Sequence, residues 1–179
     1  MPTTGSGNLT AWDRQIRNRN FLSPVGFKFN LQKAPTVDFF SQSANIPSIN
    51  LGVAIQSTYL KDIPVPGDKL VFNDFSIRFL VDENLKNYLE ISNWMRGLGY
   101  PESLDEAIPL NTEAFSDGGL VIFNSSMNAI ARVNFKDMFP TDLTQLEFDA
   151  QNTDINYIVA EATFKYTVFD IVSLITDDT

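Results

Sequence analysis

Three adjacent carboxylate pairs, Asp82-Glu83, Asp105-Glu106 and Asp177-Asp178, are the side chains best placed by type and spacing to do acid–base chemistry in this chain. Two carboxylates flanking a glycosidic bond suffice for glycoside hydrolysis, and Trp12 or Trp94 could offer a stacking face for a sugar. Each pair has a simpler reading: a helix start, a solvated loop and a frayed tail. Histidine and cysteine are absent, which removes the Ser-His-Asp triad, imidazole acid–base work, thiolate nucleophiles, disulfides and most zinc sites. Gly118-Gly119 lacks the glycine spacing and the lysine of a phosphate-cradling loop. Oxygen-only calcium or magnesium ligation stays open, but no EF-hand spacing appears. The expectation is no enzyme, no cofactor and no metal site.

The totals bound the rest. At 179 residues and 44% hydrophobic content, the chain suits one domain with a sizeable core. A net charge of −9 argues against sequence-independent nucleic-acid binding, yet suits a wall past which nucleic acid must slide without sticking. No apolar run approaches the length of a membrane span, and no signal-peptide core is seen at the N-terminus.

The stretch Tyr59–Met95 reads as turn, long strand and helix. Pro64, Pro66 and Gly67 supply turn chemistry. Apolar residues then alternate at Leu70 and Phe72, and again at Phe75, Ile77, Phe79 and Val81. The parity shift across Asn73-Asp74 predicts a bulge or turn there. Asp82 is read as the N-cap of one flanking helix near residues 82–96, with Leu85, Tyr88, Leu89, Ser92 and Met95 on its periodic face. Gly97 and Gly99 are expected to end it.

Upstream, residues 1–20 are expected as a flexible arm whose Arg14, Arg17 and Arg19 are the densest basic patch and could dock on another subunit. Val25, Phe27, Phe29 and Leu31 mark a strand, joined through a Gln32–Thr36 turn to a second strand from Val37 to Ala44 as a hairpin. Ala44 to Gly52 reads as an extended linker. Residues 21–179 are expected as a single domain carrying a long irregular insertion over about 100–127, with Leu120–Phe123 as a short apolar strand inside it. A strand follows from Asn128 to Phe135, then a turn at Phe139–Asp142. Tyr157 to Val172 alternates most cleanly, with Ala160, Ala162, Phe164, Tyr166 and Val168 on one side and Glu161, Thr163, Lys165 and Thr167 on the other. At about 3.3 Å per residue, twelve such residues span roughly 40 Å. Long alternating strands leave edges that must be protected or paired with another chain, so these observations lean toward an assembly subunit. The fold class expected is mainly β, a β-sandwich or small barrel of long antiparallel strands.

The order Ile-Pro-Val-Pro-Gly-Asp-Lys-Leu-Val-Phe-Asn-Asp-Phe-Ser-Ile-Arg-Phe-Leu-Val-Asp-Glu (residues 63–83), followed by Asn-Trp-Met at 93–95, resembles the tail tube proteins of contractile-tailed, T4-like bacteriophages. Phe-Ser-Gln-Ser-Ala-Asn-Ile-Pro at 40–47 and Phe-Pro-Thr-Asp-Leu-Thr-Gln-Leu-Glu-Phe-Asp-Ala-Gln-Asn-Thr-Asp-Ile at 139–155 are similar to that family's sheet-to-linker passage and closing segment. Together the likeness covers about residues 21–99 and 128–172.

The resemblance implies a virion structural protein: hexameric rings of this homo-oligomer stack into the inner tail tube, with tail sheath and baseplate proteins as neighbours. DNA passes through the lumen without being bound, no membrane is involved, and the tail assembles in the host cytoplasm. Ser76, Arg78, Glu161, Thr163, Lys165 and Thr167 are then the candidates to face the lumen. Arg14, Arg17, Arg19, Pro64, Pro66, Gly67 and Asp68 are candidates for inter-subunit contact. A baseplate hub or tube-initiator protein of the same fold is the alternative. From another class, a monomeric β-sandwich binding module would recognise a ligand through Trp12, Tyr100 and the acidic loop.

Overall fold

The computed structural model describes residues 21–39, 41–99, 114–149 and 157–175. Its frame is a pair of long antiparallel strands. One is β7 (Ala129–Leu143); its partner runs as β8 (Val159–Lys165) and β9 (Val168–Ser173). The register is the same on both sides of the β8–β9 break, with Lys165 opposite Phe139 and Val168 opposite Lys136. At the break the two strands change face together. On β7 the buried positions pass from Val133 and Phe135 to Met138 and Pro140; on the partner they pass from Ala162 and Phe164 to Phe169. Asp137, with φ of 55°, makes the bend on β7; a residue in the left-handed region inserted into a ladder bends the strand and increases its twist.

The bend divides one seven-stranded sheet into two layers. The first half of β7 lies between β6 (Ser116–Phe123) and β9, with β1 (Phe27–Leu31) beyond β6. The second half pairs with β8, followed by β5 (Phe75–Leu80) and β2 (Ser41–Ala44). The layers face each other through aromatic rings: Phe75 lies 5.0 Å from Phe29 and 4.7 Å from Phe135 between centroids. Across β5 and β8, large faces small, with Ile77 opposite Ala162 and Phe79 opposite Ala160. The fold is thus mainly antiparallel β, as expected.

Helix α2 (Lys86–Gly99) closes the core by burying Asn87, Ile91, Trp94 and Gly97. Trp94 lies 6.3 Å from Phe164 and its indole N–H donates to the Ala114 carbonyl at 3.0 Å, the partner a buried indole requires. The helix starts later than expected. Asp82 instead opens a turn in which its carbonyl accepts from the Leu85 N–H at 2.8 Å, and Leu85 has φ of 58°. Asn87 holds that turn, donating to the Leu80 carbonyl at 2.7 Å and accepting from the Asp82 N–H at 3.2 Å. The buried stripe consequently differs from the expected one, and Leu89 is exposed.

Other expectations are corrected. Residues 25–44 are not a hairpin: β1 and β2 belong to opposite layers, joined by a second helix, α1 (Pro35–Phe39). Pro35 sits at the first helical position, where its missing N–H costs nothing. Part of the stretch expected as an irregular insertion is regular, because Ser116–Phe123 is a central strand and Asn124–Asn128 is the turn into β7; its residues 100–113 lie outside the described residues. There the Asn124 side-chain oxygen accepts from the Ser126 and Asn128 N–H groups, each at 2.9 Å. Phe139–Asp142 is no turn but the continuation of β7, with a register shift between Pro140 and Asp142 that accommodates the proline. The linker from Ala44 is shorter too, since strand β3 (Ile49–Ser57) begins inside it.

Candidate assembly interface

Strands β3 (Ile49–Ser57) and β4 (Asp62–Phe72) form a separate two-stranded ribbon. Its turn is Thr58–Lys61, where the Thr58 hydroxyl accepts from the Lys61 N–H at 3.2 Å and donates to the Lys61 carbonyl. Pro64, Pro66 and Gly67, expected as the turn, lie inside β4; Asp68 lies in the passage where the register shifts between Leu51 and Val53. A ribbon of two strands has an outer edge on both sides, so a proline can turn its donor-less nitrogen outward without breaking a ladder bond. Gly67 is required by close approach: a Cβ there would stand 2.7 Å from the Gly52 carbonyl carbon.

Directly opposed residues share a face. Ile49, Leu51, Val53 and Ile55 therefore share one with Phe72, Leu70, Pro66 and Pro64. The face is apolar and uncovered: Val53 and Ile55 are 67% and 68% exposed, and Tyr59 and Leu60 at the tip are open to solvent. The ribbon meets the body mainly at its root, where the Phe72 ring is 5.4 Å from Phe169 and 6.2 Å from Tyr166. A lone hairpin is marginal in water, and a contiguous exposed apolar face marks a surface that another molecule covers.

The outer face of β5 and β8 is polar. Ser76 is opposite Thr163, and Arg78 is opposite Glu161 with guanidinium and carboxylate 3.5 Å apart. Lys165 follows on the same alternation and pairs with Asp74 at 3.3 Å. Thr167 is separated from this set by the break, its N–H donating to the Lys136 carbonyl at 3.0 Å. Val168, expected to face inward, is exposed, and Phe169 takes its place in the core. Arg14, Arg17 and Arg19 lie outside the described residues.

Sequence reasoning missed a polar depression of about 490 Å³ on the outer face of the other layer. Asn30, Gly119, Asn134 and Asp170 form one row across four strands there, flanked by Arg132 and Lys136. Gly119 makes the room, since a Cβ on it would stand 3.2 Å from the Arg132 guanidinium. A glycine pair between Ser116-Asp117 and the apolar run from Leu120 was the available signal, and it reads equally well as a turn. Among the described residues no cluster of three or more acidic side chains could hold a metal ion. Among the described residues one titration is displaced: the Tyr166 phenol is pushed up to about 12, chiefly by burial and secondarily by the nearby Asp74 carboxylate.

No family model matches the chain. It is 26% identical over 159 residues to the tail tube terminator protein of Enterobacteria phage T4, covering 85% of this chain and 89% of that protein. Among solved structures, it superposes on the tube-terminating cap of the anti-feeding prophage with a TM-score of 0.64 at 19% identity, over 92% of this chain and 99% of the other. The sheath/tube terminator of an extracellular contractile injection system matches with a TM-score of 0.62 at 19% identity, over 87% and 99% of the two chains. The likeness read from the sequence thus recurs in sequence and in fold, and the chain is similar to the tail-tube-related structural proteins of contractile systems.

Proposed function

We propose that this chain is a structural subunit of a hexameric ring that terminates the tail tube of a contractile phage tail, with no enzymatic role. The observation that carries the reading is the uncovered apolar face of the β3–β4 ribbon, which a monomer would expose to water for no return. A closed heterologous ring covers such a face on every copy at once. The terminator position, in preference to the shaft expected from the sequence or the baseplate initiator, is supported by the similarity to the T4 tail tube terminator protein. In this reading the polar face of Ser76, Arg78, Glu161, Thr163 and Lys165 borders the channel, where ion pairing leaves little net charge to hold DNA. Sheath and baseplate proteins are the neighbours in the tail.

Negative-stain microscopy with light scattering on the purified protein tests this. Single rings of about 120 kDa, six copies of a 20.1 kDa chain, are the expected product. Long hollow tubes would move the assignment to the shaft. A monomer at high concentration, stabilised by a small ligand, would replace the reading with a binding module.

A further inference from the structure

The ribbon joins the body through two short segments, residues 45–48 and 73–74, and both are tied by side chains. Asn73 donates its backbone N–H to the Ser48 carbonyl at 3.1 Å and its amide to the Ser48 hydroxyl at 2.6 Å, so the two segments are fastened to each other. Asn45 fastens them to β5, accepting from the Ser76 N–H at 2.7 Å and donating to the Asp74 carbonyl at 3.4 Å. Two further ties come from the break between β8 and β9. There the Tyr166 hydroxyl donates to the Asn73 carbonyl at 2.7 Å, and the Lys165 ammonium lies 3.3 Å from the Asp74 carboxylate. The Tyr166 ring is itself fixed between Phe135 at 5.1 Å and Phe169 at 5.8 Å, both part of the core.

We infer that Lys165 and Tyr166 are positioning residues that lock the angle at which the ribbon leaves the body, presetting it to meet a neighbouring copy. The lock is a structural claim by itself; its use in ring assembly rests on the proposed function. Without Lys165 and Tyr166 the two linkers of two to four residues would hold the ribbon by Phe72 and the Asn45 bonds at the start of β5 alone, and a ribbon free to swing would lose that freedom each time it docks. The hydroxyl suits the task because it remains a protonated donor through the neutral and mildly alkaline range. The ribbon root is also where a small change is amplified, because a rotation of about 5° at residues 73–74 moves the tip at Tyr59 by about 3 Å over a ribbon roughly 35 Å long.

Absence of native cysteine allows a clean measurement. Spin labels on Gln56→Cys in the ribbon and Asn93→Cys on the exposed side of α2 report the ribbon-to-body distance by pulsed electron resonance. A single narrow distribution is expected with Tyr166 and Lys165 intact, and a distribution at least twice as broad in Tyr166→Phe/Lys165→Met. Tyr166→Phe alone keeps the ring in the core and serves if the double variant melts. An unchanged width in a folded variant, or a broad distribution before substitution, would overturn the lock. Ring yield on the same samples separates the two claims: about tenfold weaker ring formation is expected without the lock. Absence of rings in every variant, with the widths still differing, would leave the lock standing and remove the ring.

Discussion

Strand β5 in the body and strand β3 in the ribbon are written in the same alternation, yet they end in opposite environments. Phe75, Ile77 and Phe79 are fully buried, whereas Ile49, Leu51, Val53 and Ile55 are between 46% and 68% exposed. The difference lies in what stands opposite. Strand β5 faces β1 and β7 across a core filled by Phe29 and Phe135; nothing in the described residues faces β3. An apolar strand face states that something covers it, without stating whether the cover belongs to the same chain.

The largest expected effect lies in the body. Phe75→Ala removes a ring with three aromatic neighbours and should cost about 3–5 kcal/mol in denaturant unfolding, the range for deleting a large buried ring. Val53→Asp with Ile55→Asp should shift that unfolding by no more than about 0.5 kcal/mol, as exposed substitutions do, yet abolish ring formation by light scattering. If the ribbon pair unfolds the monomer, its face is covered within the chain and the comparison fails. Between these extremes stands Gly67→Ala. Its new methyl meets the Gly52 backbone, so about 1–3 kcal/mol is expected, read as faster amide exchange along β3 and β4 with the body unchanged.

The same comparison explains what could be read in advance. The core faces of β5 and β8 were legible because Phe75, Ile77, Phe79, Ala160, Ala162 and Phe164 alternate without interruption. The polar row of Arg78 and Glu161 followed from the same period. Proline misled twice: Pro64–Pro66 and Pro140 read as turns, but an outer edge and a bulge each spare the missing donor. The swap of faces at Asp137 and Tyr166 was illegible because it depends on two strands distant in sequence bending together. For the same reason the ribbon could not be told from a core hairpin, nor Gly119 from a turn residue.

Alkaline pH sharpens the comparison at the ribbon root. Tyr166 holds its proton up to about 12 against 10.0 when unperturbed, so the folded state favours the neutral phenol. The stabilisation is complete below pH 10.0 and is lost as the pH rises toward about 12. Asp74 and Lys165 face the same root and pair with each other. The tyrosinate absorbance of Tyr166, taken as the difference between the unaltered chain and Tyr166→Phe, should therefore rise only above pH 10.0, and ribbon exchange should quicken with it. Half-ionisation of Tyr166 at pH 10.0, its unperturbed value, would show that the phenol is not held at the root.

The smallest effect belongs to the polar face of β5 and β8. The side chains of Arg78 and Glu161 are 56% and 40% exposed, with the charges 3.5 Å apart, and exposed pairs contribute roughly 0–1 kcal/mol. Arg78→Gln should accordingly leave unfolding almost unmoved and ring formation intact, unlike the ribbon variants. Its consequence is electrostatic: the unpaired Glu161 adds one negative charge per copy, six around a closed ring, to whatever surface the face borders. If that surface is the channel, the rings should retain less short DNA at low salt than those of the unaltered chain, and the difference should vanish as salt screens it. A variant that loses its rings would instead place this face between subunits, leaving the body and the ribbon both committed to assembly.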